Sequence, residues 1–310
     1  MQITPQSLVS VALCTYNGER FLEKQLDSIL SQDYGNMEIV AVDDCSNDGT
    51  WDILQQYARK SNCFRLYRNR RNIGYFRNFE KAIKLCQGDL IALADQDDIW
   101  KKEKIGILTN SIDDCIMVYH DSDFIDERDK PIGEDTMSSR YHMYDGGSCL
   151  PFILSNCVSG HATMFKKELV RYLSPFDDRI YHDWWISYVA FNVGKVRFVD
   201  KVLVHYRQHE NSLTDTLNLR DKKVLAEKPR NIDRISVNLD WLRNCSAFEY
   251  NREPGPVTKA YNLFLDVKSG KRKFQTLLFI LKYFDLLFYI CGKPRGFLSK
   301  LNFVRKICFC

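Results

Sequence analysis

Short apolar runs alternate with longer stretches of helical spacing through the first hundred residues. Each run is bounded by turn-forming residues, which is typical of strands buried on both faces of a parallel sheet. These runs are at 8–14, 37–42, 64–67 and 90–94. Between them, apolar residues recur every three or four positions, which predicts helices at 19–32, 51–60 and 76–86. The β-α-β-α-β-α-β order predicts an α/β fold with a Rossmann-like, mostly parallel sheet flanked by helices and joined by right-handed crossovers.

Polar residues follow three of the four runs, at what becomes one edge of the predicted sheet. They are Thr15, Tyr16 and Asn17 after the first run, Asp43 and Asp44 after the second, and Asp95, Gln96, Asp97 and Asp98 after the fourth. Ligands bind at this edge in open α/β sheets. Clustered carboxylates repel each other without a cation, and Mg²⁺ or Mn²⁺ would bridge them to a phosphate. Taken alone, the same acids could form a solvated turn before a helix near Trp100.

Glycine-rich phosphate loops are missing from this edge. The sequence contains neither GxGxxG nor GxxxxGK[ST]. A nucleotide would therefore be held by carboxylates and a metal, with its base or ribose near the second strand and its diphosphate near the fourth.

The second half of the chain is less regular. Its predicted elements are a strand at 115–120, a long functional loop at 121–151, an apolar segment at 157–165, a short helix at 166–173, a helix opening at 181, one or two strands at 196–206, a polar loop at 207–212, a mobile linker at 221–231 and further helices to the end.

Composition narrows the class of protein. The chain has 310 residues, of which 45% are hydrophobic, so it is globular. Its 11 cysteines form no CxxC pair, which argues against zinc ribbons and thioredoxin-like sites. Several lie inside apolar strand patterns, where they act as buried hydrophobes and favour a reducing compartment. The first eight residues lack a basic and apolar leader pattern, so we expect no secretory signal.

Charge is concentrated at the C-terminus. The chain carries a net +4, yet residues 268–310 hold ten Lys or Arg and one acid. Their interleaved Phe, Leu and Tyr favour an anionic membrane surface over nucleic acid. The stretch Phe274–Ile290 is shorter than a spanning helix and contains Lys282 and Asp285, so we expect an amphipathic helix lying in the membrane interface. The alternative is a helix packed on the catalytic domain or in a homodimer interface.

Five motifs in order resemble one family. They are at 9–18, 42–50, 95–98, 182–185 and 206–211. Together they resemble the family-2 inverting glycosyltransferases of the GT-A fold, in particular bacterial rhamnosyltransferase-like enzymes of surface-polysaccharide assembly. The resemblance covers about 8–215. It implies a glycosyltransferase domain at 1–215, with a nucleotide-sugar half at 1–98 and an acceptor half at 99–215, followed by a linker and a helical region at 216–310.

The resemblance also implies roles for single residues. Those implied to bind the nucleotide sugar are Thr15, Tyr16, Asn17, Asp44, Asp95 and Gln96. Asp97 and His209 are implied to hold Mg²⁺ or Mn²⁺, and Asp183 to act as catalytic base. The residues expected near the acceptor are His161, His182, Trp184 and Trp185. Since Asp183 begins a helix, we expect the helix dipole to lower its pKa.

The implied reaction moves one sugar, with inversion, from dTDP-rhamnose or a UDP-sugar to a glycan or lipid-linked hydroxyl. The family's processive members carry a Gln-x-x-Arg-Trp motif, which this chain lacks, so a single transfer is favoured. The implied location is cytoplasmic, peripheral on the inner face of a bacterial plasma membrane.

Other interpretations remain open at this point. Asp183 could be only a helix cap, both tryptophans could belong to the core, and His161 could be structural. A sugar-nucleotide pyrophosphorylase is a second enzyme class, although residues 9–20 lack its glycine-rich signature. A non-catalytic, membrane-docked scaffold on the same fold is a third possibility.

Overall fold

A single mixed sheet forms the centre of the molecule. The computed structural model describes residues 7–174, 181–210, 231–290 and 296–309. Within these residues the strand order is β3-β2-β1-β4-β8-β6-β9-β5, with β7 paired to β6. The strands are β1 (Val9–Thr15), β2 (Met37–Asp43), β3 (Phe64–Arg68), β4 (Leu90–Ala94), β5 (Ile99–Trp100), β6 (Met117–Ile125), β7 (Pro131–Thr136), β8 (Thr163–Lys166) and β9 (Val196–Arg207).

Helices cover both faces of this sheet. They are α1 (Glu19–Leu30), α2 (Thr50–Lys60), α3 (Tyr75–Leu85), α4 (Lys104–Ile112), α5 (Met137–Arg140), α6 (Val170–Leu173), α7 (His182–Val193), α8 (Asn231–Ala247), α9 (Pro254–Lys268), α10 (Lys273–Lys282), α11 (Phe284–Leu287) and α12 (Phe297–Phe309). One apolar cluster lies under α1, α2 and α4, and a second joins α3, α7 and the C-terminal helices.

The α/β fold predicted for the first hundred residues is confirmed. Strands β1, β2, β3 and β4 are parallel neighbours, with α1, α2 and α3 as their crossovers. Every residue of β1 and β4 is buried, which explains why their sequences are continuous apolar runs and not alternating patterns. Strand β8 lies between β4 and β6 and is antiparallel to both, so β6 and its parallel neighbour β9 point in the same direction as β1 to β4. The sheet is therefore mostly parallel in strand direction.

The long loop predicted at 121–151 is wrong in its first half. Strand β6 continues through Asp121 and Ser122 to Ile125, then pairs with β7. These polar residues are buried because their side chains have partners inside the fold. Asp121 accepts hydrogen bonds from the Ser138 backbone N–H at 3.0 Å and from its hydroxyl at 2.5 Å. A polar strand of this kind has the composition of a loop.

The single helix predicted over Phe274–Ile290 is also not continuous in the structure. It is broken at Tyr283 into α10 and α11, and the inward side of both joins the apolar cluster that contains Ile91 of β4. The C-terminal helices are therefore part of the core. No helix in the described part of the chain is long and apolar enough to cross a membrane. Most of the linker predicted at 221–231 lies outside the described residues.

Gly88 provides a test of how tightly β4 is seated. The helix before it ends at Leu85, and Gly88 lies so close to β1 that a Cβ atom would be 2.5 Å from the Leu8 carbonyl oxygen and 2.8 Å from the Ser10 nitrogen. We expect Gly88→Ala to lower the free energy of unfolding by about 1–3 kcal/mol, because backbone must shift to admit the methyl group. Urea denaturation measures this.

Gly35→Ala is the matched control, since nothing lies within 4 Å of the added Cβ. Equal stability of the two variants would contradict the close approach of Gly88 to β1.

Candidate active site

The polar edge of the sheet opens into one cavity of about 790 Å³. This volume suits a ligand of nucleotide-sugar size. The sequence-predicted site residues that line it are Thr15, Tyr16, Asn17, Asp44, Asp95, Gln96, Asp97, His161, His182, Asp183 and His209. They come from the carboxyl ends of β1, β2 and β4, the short turn before β8, the start of α7 and the end of β9. The topology thus brings together residues up to about two hundred positions apart.

Backbone and amide hydrogen bonds join the loop after β1 to the loop after β4. The Tyr16 N–H donates to Gln96 Oε1 at 2.8 Å, and Gln96 Nε2 donates back to the Tyr16 carbonyl at 3.1 Å. Asn17 has a positive φ of 49° and accepts the Asn47 N–H at 2.9 Å. Gln96 and Asn17 therefore fix the loops, whereas the Tyr16 ring is 46% exposed at the cavity.

Asp44 is buried beneath the loop that follows β3. Its Oδ1 accepts hydrogen bonds from Asn69 Nδ2 at 2.8 Å and from the Ile73 N–H at 2.9 Å. Its Oδ2 accepts the Gly74 N–H at 2.9 Å. A carboxylate has about four acceptor positions, so this arrangement leaves capacity for one further donor. This loop was not predicted to contribute to the site, although Asn72 and Gly74 are turn-forming residues.

The loop after β4 concentrates negative charge. Burial, together with the nearby carboxylates of Asp97 and Asp183, raises the pKa of Asp95 to about 7. Asp97 Oδ2 lies 3.0 Å from His209 Nε2, so the two residues expected to hold the metal lie side by side. Asp98 is completely buried, and burial together with the nearby carboxylates of Asp97 and Asp95 raises the pKa of its carboxyl group.

Arg207 anchors this acidic loop and was not predicted as a site residue. Its side chain is fully buried, and Nε donates to the Asp97 carbonyl at 2.6 Å. Its backbone N–H donates to Asp98 Oδ1 at 3.0 Å. Its Nη1 forms an ion pair with Asp129 at 2.6 Å, and its guanidinium carbon lies 4.6 Å from the centre of the Phe21 ring. The sequence had placed Arg207 at the start of the polar loop predicted at 207–212.

His161 is buried next to the carboxyl groups of Asp95 and Asp98. Its Nε2 is 3.0 Å from Ser122 Oγ, and its Nδ1 is 3.8 Å from Asp95 and 3.7 Å from Asp98. Burial and the nearby Lys104 cation lower its pKa to about 3, so the ring is neutral near pH 7. One ligand atom from each of Asp95, Asp98 and His161 fits within 4.8 Å, which is close enough for a metal ion.

Asp183 begins α7 and faces the cavity. Its Oδ1 accepts the Trp184 N–H at 2.7 Å. Its pKa is nevertheless raised to about 6, because burial disfavours the charged form by more than the backbone N–H groups favour it. The prediction that the helix start lowers this pKa is wrong in sign. A carboxylate with this pKa is mostly ionised near pH 7 and more basic than an ordinary aspartate.

His182 is stacked on Phe79, with ring centres 4.0 Å apart and planes inclined by 13°. Burial lowers its pKa to about 3, which keeps the ring neutral. Neither ring nitrogen has a hydrogen-bond partner among the described residues. A neutral imidazole offers one donor and one acceptor, which suits a sugar hydroxyl.

Trp184 and Trp185 do not line the cavity. Their indole N–H groups donate to the Phe152 carbonyl at 2.6 Å and the Leu173 carbonyl at 2.8 Å. Trp184 also packs against Trp241 at a ring distance of 4.9 Å. Among the aromatic side chains that do line the cavity, Tyr181 is 52% exposed and Tyr16 is 46% exposed. The expectation of a tryptophan wall at the acceptor side is therefore not met.

Sequence comparison identifies relatives with named activities. The family description "Glycosyl transferase family 2" matches residues 10–173. An uncharacterized glycosyltransferase of Nostoc sp. PCC 7120 is 27% identical over 65% of this chain and 65% of its own length. The dTDP-rhamnosyl transferase RfbG of Shigella flexneri is 30% identical over 64% of this chain and 72% of its own length. The chain thus spans about two thirds of these relatives.

Solved structures share the fold. TarS of S. aureus, solved with UDP-GlcNAc, aligns with a TM-score of 0.61 and 16% identity over 91% of this chain and 81% of its own. The mannosyltransferase PcManGT of Pyrobaculum calidifontis, solved with GDP-Man and Mn²⁺, aligns with a TM-score of 0.54 and 14% identity over 93% and 76%. These likenesses support the GT-A type of α/β fold. Because the family match covers more than half of the chain and contains the carboxylate loop, the protein belongs to glycosyl transferase family 2.

Proposed function

We propose that this protein transfers one sugar, with inversion, from a nucleoside diphosphate sugar to a hydroxyl group of a glycan or lipid-linked acceptor. The observation that carries the proposal is the convergence of Asp44, the Asp95–Asp97 pair and Asp183 on a single cavity. RfbG is named a dTDP-rhamnosyl transferase, and TarS was solved with UDP-GlcNAc. We therefore put dTDP-rhamnose and UDP-sugars first as donors.

The donor would lie across the ends of β1, β2 and β4. Asp44 retains acceptor capacity for a base N–H, and Thr15 lies beside it, where its hydroxyl donates to Asp43 Oδ1 at 3.1 Å. The exposed Tyr16 ring offers a face for the base or the ribose. Asp95 would accept a ribose hydroxyl, while Gln96 and Asn17 keep the loops in place.

A divalent cation fits the acidic end of the cavity. Asp97 and His209 would hold it, with Asp95 beside them, because the side chains of Asp97 and Asp95 are 19% and 37% exposed. In the alternative set, Asp98 and His161 are 0% and 2% exposed, too deep to share an ion with a bound diphosphate. Mg²⁺ or Mn²⁺ would neutralise charge on the leaving diphosphate. The Mn²⁺ in PcManGT supports this choice.

Asp183 supplies the base. Its carboxylate would take the proton of the acceptor hydroxyl as the oxygen attacks the anomeric carbon. The bond from that carbon to the diphosphate oxygen breaks on the opposite face, so the product has the inverted configuration. The nucleoside diphosphate leaves with the bonding electron pair. A carboxylate of pKa about 6 suits this role because it is ionised yet basic.

The acceptor would enter past Tyr181 and meet His182. Tyr181 lies 6.5 Å from Tyr75 between ring centres, so the two rings form an aromatic rim beside Asp183. Aromatic faces pack well on sugar rings.

Nine cysteines of the described residues are free, which agrees with action in the reducing cytoplasm of a bacterium.

Metal removal is the first test. We expect EDTA to abolish release of nucleoside diphosphate from the preferred donor, and Mg²⁺ or Mn²⁺ to restore it. The donor is first chosen by thermal shift with Mn²⁺ among dTDP-, UDP- and GDP-sugars. Asp97→Asn should remove the Mn²⁺-dependent part of the donor-induced shift, because the cation loses its negatively charged ligand. Full turnover in excess EDTA would refute the metal role.

Replacing Asp183 distinguishes a role in the chemical step from a role in donor binding. We expect Asp183→Asn to lower turnover by about two to four orders of magnitude, the usual contribution of a positioned base, while the donor Kd stays nearly constant. The wild-type rate should rise with pH through about 6, because the pKa of the Asp183 carboxyl group is raised to that value and only its ionised form accepts a proton. Near-native turnover of Asp183→Asn would place the base elsewhere.

Asp44→Asn tests the part of the cavity that is proposed to bind the nucleotide base. We expect the donor Kd to rise roughly 10- to 100-fold, the loss of one charged hydrogen bond, because the amide has fewer acceptor positions for the base. Calorimetric titration of donor and of Mn²⁺ should show the metal site intact. Asp52→Asn, at an exposed position on α2, is the control. Equal donor affinity of the two variants would remove Asp44 from the nucleotide site.

A further inference from the structure

Exposed apolar side chains are concentrated in the C-terminal helices. Eleven large hydrophobic residues are exposed in the described part of the chain, and six of them lie between 265 and 298. These six are Leu265, Phe274, Leu278, Tyr289, Phe297 and Leu298. Single exposed apolar residues are ordinary on soluble proteins, whereas a concentration marks an interaction surface.

Helix α10 shows the pattern most clearly. Its inward residues Leu277 and Ile280 are buried in the core. One turn apart on its outer side, Phe274 and Leu278 are 62% and 51% exposed, and the exposed Lys282 follows in the next turn. An ordinary surface helix carries polar residues on this side. Helix α10 is therefore packed through one face and exposes two large apolar side chains on the other.

Helix α12 adds a second apolar pair beside α10. The two helices pack against each other, and Lys300 of α12 forms an ion pair with Asp285 of α11 at 2.5 Å. In the first turn of α12, Phe297 and Leu298 are 69% and 78% exposed, the largest fractions among the exposed hydrophobic residues. Such exposure is costly in water unless another phase or partner covers it.

The charge around these residues is almost entirely positive. Residues 268–310 contain ten basic residues, and their one acid, Asp285, is the partner of Lys300. The exposed bases among the described residues of this stretch are Lys268, Lys271, Arg272, Lys282 and Arg305. Arg272 also forms an ion pair with Asp266 of α9 at 3.3 Å. Exposed Phe and Leu among bases match the chemistry of an anionic bilayer surface, where rings enter the acyl boundary and cations meet headgroups.

We propose that the outer side of α10 and the first turn of α12 form a docking surface for anionic membranes. The occupant is a lipid surface and not nucleic acid, because Phe274, Leu278, Phe297 and Leu298 offer aliphatic and aromatic contacts beside the bases. Membrane docking is a property separate from the proposed transfer reaction. The docking surface contains no residue that lines the cavity. Docking would hold the enzyme on the bilayer while the same helices remain part of its core.

Vesicle flotation tests the surface with the full-length chain. Vesicles of phosphatidylcholine and phosphatidylglycerol at 3:1 are compared with pure phosphatidylcholine at low and high salt. We expect binding to the anionic vesicles at low salt and partial release at high salt. The double variants Phe274→Ser/Leu278→Ser and Phe297→Ser/Leu298→Ser should each lower the vesicle partition coefficient at least tenfold. Lys271→Glu/Lys282→Glu should do the same and flatten the salt dependence.

Leu30→Ser is the matched control, since Leu30 is 38% exposed on α1 and far in sequence from the tail. Because all substituted side chains are exposed, thermal unfolding and donor affinity should stay as in the wild type, so a failed glycosyltransferase proposal would leave this test unaffected. Wild-type protein that does not float at low salt, or variants that bind as the wild type does, would overturn the proposal. So would light scattering showing a dimer that Phe274→Ser/Leu278→Ser converts to a monomer without loss of vesicle binding.

Discussion

The buried guanidinium of Arg207 is the interaction on which the acidic edge depends. Three carboxylates within four residues repel each other, and a loop that carries them would open toward water unless its backbone were held. Arg207 holds it from the end of β9, through the Asp97 carbonyl and the Asp98 carboxylate. It also reaches Asp129 and covers the Phe21 ring. The position of Asp97 and Asp98 thus depends on a residue at the end of β9, and not only on β4, the strand that precedes them.

Burial is the second constraint on the site. It raises the pKa of Asp183 to about 6 and that of Asp95 to about 7, and it lowers the pKa of His161 and His182 to about 3. Burial therefore moves the pKa values of the two carboxyl groups toward neutral pH, where proton transfer is efficient, and it keeps both imidazole rings neutral. In this cavity the carboxyl groups can transfer protons near neutral pH, whereas the two imidazole rings only form hydrogen bonds.

The sequence predicted what depends on local pattern. Buried parallel strands have continuous apolar runs, so β1, β2 and β4 were found, and the residues that follow them line the cavity as expected. It could not predict what depends on packing between distant elements. Trp184 and Trp185 look the same in sequence whether they face a sugar or the Phe152 carbonyl. The sign of the Asp183 pKa shift depends on how deeply α7 is seated, and the polar strand β6 resembled a loop because Asp121 finds its partner in Ser138.

The reciprocal amide contact between Tyr16 and Gln96 has a consequence for how ligands communicate. Because the two loops are tied by hydrogen bonds in both directions, neither can change conformation without breaking both. A nucleotide that orders the first loop would pre-order the second, and a cation bound at the second would stabilise the first. Thermodynamic linkage requires this coupling to be reciprocal, so each ligand should strengthen the other by the same factor. The two strand ends then behave as a single cooperative unit.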